Sequence, residues 1–555
     1  MRPQPERGGR GSGAGPDGSR KHMADSKHRK ETRKKAAHDE SSPGGEGRRP
    51  LTVGVIGWNS PRFVEAHAPF IELLKRAVAS HGAQPFFYGI SGVSDILPAA
   101  AADGHPAANG SDAGRIANYG LPARDMVADQ IEIVVHQENL GGLLMVPWSV
   151  SSLVGMMMAA IRCGVPALFM PCYRRWGLFP GAAPGPTYSQ CSMLVVLEVF
   201  GLTKLGAIEQ LFPKKEKGAA AAAQAAECEP DEVHFAEWAG RRAVEMAKQN
   251  ISPRRFFSQA AFQNAVSVDM ALGNSCETVL HLSALAYESG VPLPLSLFND
   301  GSKRIPQLVP VNRAGEFSMA EFQDWGGLPG LLGAIATSLQ PSPMVIGKNI
   351  VEVAREHAAM RSSYKMSRPF RKHGGLGVLF GNLAREGAIF RVAGLKESSL
   401  VSSGPARVFD SEAACRSAIA SKKIKKGEVI VLRYAGPKGS PGMPSLDAVE
   451  RAIEDRGLGD SVVFLTDGRL TSSGRTPAFV HVSPEAAAGS ALSVLQDGDI
   501  IFWNFFDKAL SVRLTDTEIK VRLSRWKEQE KNMRNSFLYR YSKYTSSSSY
   551  GATLV

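Results

Sequence analysis

Beyond residue 50, short apolar runs alternate with longer amphipathic stretches, and this alternation restricts the fold more than any other feature. Leu51-Thr52-Val53-Gly54-Val55-Ile56-Gly57 reads as a buried strand, residues 62–80 as an amphipathic helix, and Gln84-Pro85-Phe86-Phe87-Tyr88 as a second strand. A helix over Asp125–His136, a strand over Gly142–Val146, a helix over Gly155–Cys163 and a strand over Ala167–Met170 continue the pattern. Strands separated by helices pair through crossovers, which predicts an α/β layer structure with a largely parallel sheet. From about residue 376 Gly-rich turns separate short strands: Ala388–Val392, Val429–Leu432 and Ser461–Leu465. The expected organisation is therefore an N-terminal α/β domain over 51–375 and a β-rich C-terminal domain over 376–525. A tail over 526–555 follows, with Ser546–Ser549 expected to be mobile.

Charge narrows the function classes. The 555 residues carry 65 Lys and Arg against 53 Asp and Glu. Residues 1–50 hold 13 basic and 7 acidic residues, which leaves 52 against 46 for the rest, so each part has a net charge of +6. The Gly-, Pro- and Ser-rich first 50 residues read as a disordered basic arm, and the remainder is near balance. Nucleic acid is an unlikely partner on that count. A low-complexity insertion is expected over 213–230, where Pro213-Lys214-Lys215-Glu216-Lys217 precedes an alanine run. The stretch from Gly141 to Ile161 has no charged residue and is long enough to cross a bilayer, but Pro147, Gly155 and Trp148-Ser149-Val150-Ser151-Ser152 interrupt it. It reads as strand, loop and buried helix. Six scattered cysteines without a CxxC are no disulfide framework, and with no secretory signal they point to a cytoplasmic protein, organellar import remaining open.

Three blocks near the C-terminus carry the most specific signal. They are Arg433-Tyr434-Ala435-Gly436-Pro437-Lys438-Gly439-Ser440-Pro441-Gly442-Met443, then Thr466-Asp467-Gly468-Arg469, then His481-Val482-Ser483-Pro484-Glu485-Ala486. Upstream, Val279-Leu280-His281-Leu282, Ser318-Met319-Ala320-Glu321-Phe322 with Gly326-Gly327-Leu328-Pro329, and Gly381-Asn382-Leu383-Ala384 with Glu386-Gly387-Ala388 follow in order. Over roughly residues 51–525 the chain resembles the dihydroxy-acid/phosphogluconate dehydratase family, and Pro477–His481 is nearer the phosphogluconate branch. The resemblance implies a two-domain fold with a cleft between the domains, a homodimer, and removal of water from sugar acids or hydroxy acids with an iron–sulfur cluster and a divalent metal such as magnesium.

At the positions that carry this chemistry the chain departs from the pattern. The family binds its cluster through three cysteines, and a hydroxyl is a poor substitute for soft thiolate sulfur. The V-C-D motif reads Val93-Ser94-Asp95 here; N-C-D-K-x-x-P-G-M becomes Trp148-Ser149-Val150-Ser151 and onward; C-G-G-M becomes Pro184-Gly185-Pro186-Thr187. The cluster positions are thus Ser94, Ser149 and Pro184. The metal-binding aspartate and lysine become Val150 and Ser151, and two metal-binding glutamates become Arg115 and Ser445. The catalytic serine corresponds to Thr471, where a hydroxyl survives. The expectation drawn from these changes is that no cofactor is bound and that the ancestral dehydration is lost.

What remains for a site is a set of cleft candidates: Asp95, Cys276, Glu277, Lys438, Asp467 and Arg469. Cys276-Glu277 replaces a polar S-T-N segment and reads as a nucleophile or acid/base pair, or, the favoured reading, as a small buried residue beside a loop carboxylate. Asp467 is expected to order the turn at Gly468. Lys438, Arg433 and Arg469 suit an acidic or phosphorylated small molecule, or are solvated loop charges. Cys163, Cys172 and Cys191 lie near the altered segments, but their spacing does not support a relocated cluster. Two classes stay open: a hydro-lyase with altered ligands, and a non-catalytic homologue that binds a ligand or pairs with an active paralogue.

Overall fold

A computed structural model describes residues 50–92, 118–171, 188–207, 230–309, 319–358, 369–471, 474–529 and 536–555, and Leu51–Val555 forms one compact unit. The basic arm, Ser94, Asp95, Arg115, Cys172, Pro184 and most of the insertion lie outside the described residues.

The first layer is a four-stranded parallel sheet, as the alternation predicts. β1 (Thr52–Trp58) leads through α1 (Pro61–Ser80) to β2 (Gln84–Ile90); α2 (Gly120–Glu138) leads to β3 (Gly142–Met145), and α3 (Val150–Cys163) to β4 (Ala167–Phe169). The strand order is β2-β1-β3-β4 and every pairing is parallel. The charge-free run is buried strand and helix: β3 is buried throughout, and so is α3 from Val150 to Ile161. No helix among the described residues is long and apolar enough to cross a membrane. α2 and α3 pack closely because Gly155 has no side chain; a Cβ there would sit 2.3 Å from the backbone oxygen of Arg124.

Further helices build outward from this sheet: α4 (Tyr188–Val199), α5 (Pro230–Lys248), α6 (Gln259–Leu272), α7 (Cys276–Ser289), α8 (Ser296–Arg304), α9 (Met319–Asp324), α10 (Gly327–Ala334) and α11 (Ile350–Ala358). α6 and α7 end on Gly273 and Gly290 in the left-handed conformation, the usual helix stop. Apolar residues from the first sheet and these helices join one continuous core.

The second sheet has eight strands in the order β12-β11-β7-β8-β9-β10-β6-β5. It contains β5 (Leu376–Leu379), β6 (Gly387–Arg391), β7 (Val401–Phe409), β8 (Val429–Leu432), β9 (Val463–Thr466), β10 (Ala478–Ser483), β11 (Ile500–Asn504) and β12 (Ala509–Val512). The run β7-β8-β9-β10 is parallel, crossed over by α12 (Glu412–Ala420) and α13 (Asp447–Asp455), and antiparallel pairs flank it.

The tail departs from expectation. After α14 (Asp516–Leu523), α15 (Phe537–Tyr544) leads into a return in which Ser548–Tyr550 forms a 3-10 turn. Ser547 and Ser549 donate to Glu386 Oε2 at 2.7 and 2.9 Å, and Ser483 and Ser548 hydroxyls lie 2.8 Å apart. The fully buried Arg124 of α2 donates to the carbonyls of Gly551 and Ala552 at 2.9 and 2.8 Å, and Asp125 accepts Leu554 N at 3.1 Å. Ser546–Ser549, expected to be mobile, is fixed by these bonds, because a serine run read as solvent-seeking meets carboxylate and hydroxyl partners here.

Candidate functional site

The site is built from the end of β3, the start of α7, and the loops after β8 and β9. At the end of β3 the chain passes Trp148, which stacks on Trp58 with ring centres 5.8 Å apart, and enters α3. Ser149 is the N-cap: its Oγ accepts Ser152 N at 3.0 Å, while Ser152 Oγ accepts Ser149 N at 2.7 Å. Read from the sequence as a loop, Trp148–Ser152 is instead this reciprocal cap and the first turn, so α3 begins five residues before Gly155. Val150 and Ser151 follow at 6% and 4% exposure, Val150 within the core. A serine oxygen engaged on a helix end and an apolar neighbour do not supply a thiolate and a hard-cation ligand. Cys163 and Cys191 are held protonated, burial pushing each thiol up to about 12. Among the described residues no group of three His, Cys, Asp or Glu side chains converges to hold a metal ion. As placed, Ser149, Val150 and Ser151 offer no thiolate or carboxylate to a cluster or a metal ion.

The Gly-rich loop after β8 is held by buried carboxylates. Asp467, after β9, accepts Ala435 N at 2.8 Å, Ala486 N at 2.9 Å and Tyr434 N at 3.2 Å. Glu485 accepts Gly439 N at 2.8 Å and Lys438 N at 3.0 Å. Two carboxylates thus organise the Gly-rich loop that carries Lys438; Asp467 reaches across strands, while the Gly468 amide of the turn after it donates to Thr466 Oγ1 at 2.9 Å. Burial raises Asp467 to about 6; burial, then the charge of Asp467, raises Glu485 to about 7. Gly442 in this loop has φ of +87° and leaves no room for a Cβ, which would fall 1.5 Å from Asn118 O. Arg433 is taken up by Asp410 Oδ1 at 2.6 Å and by the carbonyls of Leu492, Ser493 and Leu495.

Arg469, two residues beyond Asp467, crosses to α7. Its Nη1 forms an ion pair with Glu277 Oε1, and the two side chains are 12% and 2% exposed. Its Nε donates to Met443 O at 2.5 Å. Cys276 lies beside Glu277 at the start of α7, its thiol raised to about 12 by burial, so it is no thiolate nucleophile at neutral pH. One turn along, His281 is 1% exposed and held neutral by burial and by Arg124, Arg469 and His481, in that order.

Thr471 follows Arg469 by two residues. A parallel bridge pairs Ser445 with Arg469 and brings the start of α13 against the loop. Asp447 accepts Thr471 N at 2.9 Å on one oxygen and the Thr471 hydroxyl at 2.5 Å on the other. Ser445 Oγ lies 3.3 Å from Thr471 Oγ1. Farther along α13, Glu450 accepts Gly474 N at 3.0 Å and Glu454 accepts Arg475 N at 2.6 Å. Three carboxylates spaced along one helix therefore strap the loop that carries the hydroxyl.

The structure brings together Ser445 with Thr471, Glu277 with Arg469, and Asp467 with the loop of Lys438. Ser149, Val150 and Ser151 are placed on α3. Asp447, Glu485 and His281 were not singled out as site residues; the signal for Asp447 was an acid at the start of an amphipathic helix two residues beyond Ser445.

Residues 59–174 and 188–353 match the family model described as dihydroxy-acid/6-phosphogluconate dehydratase N-terminal, and residues 363–552 match its C-terminal counterpart. A protein named dihydroxy-acid dehydratase from Caldanaerobacter subterraneus subsp. tengcongensis is 33% identical over 517 residues, 87% of this chain and 89% of that protein. One of the same name from Endomicrobium trichonymphae is 34% identical over 521 residues (87% and 90%), and one from Geobacter sulfurreducens 32% over 510 residues (86% and 89%). This similarity corrects the expectation that no cofactor is involved: it was drawn from substituted positions alone, whereas relatives similar along almost their whole length belong to a family that uses an iron–sulfur cluster and magnesium. With both halves of the family pattern matched across the α/β layer and the β-rich sheet, this chain belongs to the dihydroxy-acid/6-phosphogluconate dehydratase family.

Proposed function

We propose that this chain is a divergent dehydratase homologue in which the family's dehydration is lost and the cleft holds a small acidic hydroxy acid. The observation that carries the reading is the start of α3, where Ser149 caps the helix and Val150 and Ser151 are buried; the resemblance matches these positions to ligand residues of the family. The Thr471 hydroxyl is oriented by Asp447, which accepts a hydrogen bond from it. Its role is then to hydrogen-bond a ligand hydroxyl, with Lys438 available for an acidic group.

The second reading, an active hydro-lyase on a dihydroxy acid or sugar acid, is favoured by identity running through both domains and by the survival of a positioned hydroxyl at Thr471. One experiment separates the two. Protein purified and reconstituted without oxygen is assayed for iron and sulfide, for binding of 2,3-dihydroxyisovalerate and 6-phosphogluconate by calorimetry, and for 2-keto-acid formation. Saturable binding without product supports the first reading. Product formed at about 1 per second or faster, near the low end of ordinary enzyme turnover, overturns it and establishes the second. Ser149→Cys alone is expected to restore no turnover, because Val150 and Ser151 remain. The same reading places a homodimer in the cytoplasm, supported by kinship and by cysteines free of disulfides among the described residues.

A further inference from the structure

A cavity of about 440 Å³ lies between α5, the turn Pro253–Phe256, the loop Pro341–Asn349 and the first turn of α11, and none of the cleft residues lines it. Its size falls within the range of small-molecule sites. Three cations line it, Arg242, Arg255 and Lys348, against one carboxylate, Glu352. Glu352 Oε2 accepts Asn349 N at 2.9 Å, so that charge serves the end of α11. Arg242 is aimed by two bonds, Nε to Val345 O at 2.6 Å and Nη1 to Glu245 at 3.0 Å. Lys348 is held by Glu356 at 2.8 Å. Arg255 is exposed and has no ion pair among the described residues; its guanidinium carbon lies 5.9 Å from the centre of the Phe256 ring. With Arg242 and Lys348 each facing one carboxylate outside the lining, Arg255 is the cation left to attract an anion.

The frame around these charges is rigid and contains a buried donor. Asn264, fully buried on α6, accepts Gln340 N and donates to Gln340 O, both at 2.7 Å. It also donates to Ser342 Oγ at 3.1 Å. Ser342 is 2% exposed and lines the cavity; its oxygen accepts from Asn264, a bond that does not use its own proton. The loop beyond closes on itself through the Pro343–Asn349 bridge and Met344 N to Lys348 O at 2.9 Å.

We propose that this cavity binds the phosphate group of a small ligand, with Arg255, Arg242 and Lys348 on the anion, Ser342 donating to it, and Phe256 as the apolar wall. Guanidinium groups suit phosphate because their N–H donors match its oxygens in pairs. The assay is calorimetric titration of the full-length protein with inorganic phosphate and with phenyl phosphate at low salt. The expected result is saturable binding with a dissociation constant on the order of 1 mM, as five to eleven ligand atoms permit. Phenyl phosphate binding more tightly identifies an organophosphate as the ligand; inorganic phosphate binding as tightly or more so identifies the free anion. Arg255→Glu and Lys348→Glu, both at exposed positions, are expected to leave the thermal midpoint near that of the parent and to weaken binding at least about tenfold. Absence of saturable binding up to tens of millimolar, or an affinity that Arg255→Glu does not change, overturns the proposal. Phosphate binding that Arg255→Glu weakens belongs to this cavity, and binding that the variant leaves unchanged belongs elsewhere, so the result is separable from the cleft's reading.

Discussion

Replacing Glu485 by Gln should make the protein more stable above neutral pH and no more stable below pH 5. Glu485 is 4% exposed and receives backbone N–H groups from Lys438 and Gly439, yet burial and the nearby Asp467 raise it from 4.5 to about 7. The folded protein therefore favours the neutral carboxyl. Between pH 4.5 and 7 the unfolded chain releases this proton while the folded chain keeps it, so stability falls as pH rises through that window. Below 4.5 the contribution is fully present, and above about 7 it is gone. Raising this carboxyl from 4.5 to about 7 corresponds to about 3 kcal/mol. Glutamine removes the ionisation and keeps one oxygen as acceptor; its NH₂ faces a backbone N–H, which costs about 1 kcal/mol. The expected difference, variant minus parent, is about −1 kcal/mol at pH 4.5 and about +2 kcal/mol at pH 8. Guanidinium unfolding of both proteins at pH 4.5, 6 and 8 measures it, and the subtraction cancels the carboxylates that do not interact with Glu485. A difference that stays constant across these pH values, or that becomes more negative as pH rises, refutes the assignment of a raised, buried Glu485.

Ser149→Ala removes the cap oxygen that receives Ser152 N and should cost about 1 kcal/mol, read from the shift in denaturant midpoint; no change would show that the cap contributes nothing. Gly155→Ala drives a methyl against the backbone of α2 and should cost about 1–3 kcal/mol in the same assay. Arg124→Met leaves Asp125 buried without its guanidinium and frees two carbonyls near the C-terminus. It should cost about 3–5 kcal/mol and open residues 546–555 to limited proteolysis, whereas parent-like resistance would refute the role of Arg124 in fixing the C-terminal return.

Much of the architecture was legible because it is written in short-range pattern. The runs at 51–57, 84–88 and 142–146 are apolar and too short for helices, and the first sheet pairs them in parallel as that pattern requires. The start of α3 was not legible: a Ser-Val-Ser-Ser run has the composition of a loop, and it becomes a helix end only because Ser149 and Ser152 satisfy each other's backbone. Asp447 was missed because family positions directed attention to Ser445, and its contact with Thr471 depends on the bridge between residues 445 and 469.

By itself, then, the amino-acid order determined the strand and helix periods and the kinship. Those are properties of neighbours along the chain. The tertiary structure alone decided that Glu277 answers Arg469 at 192 residues' separation, that Arg124 holds carbonyls more than 400 residues away, and that two buried carboxylates fix the Gly-rich loop. Such pairings have no local signature. Each exists because packing removes water from a charge or a polar group, and the group that then satisfies it is whichever the fold has brought within reach.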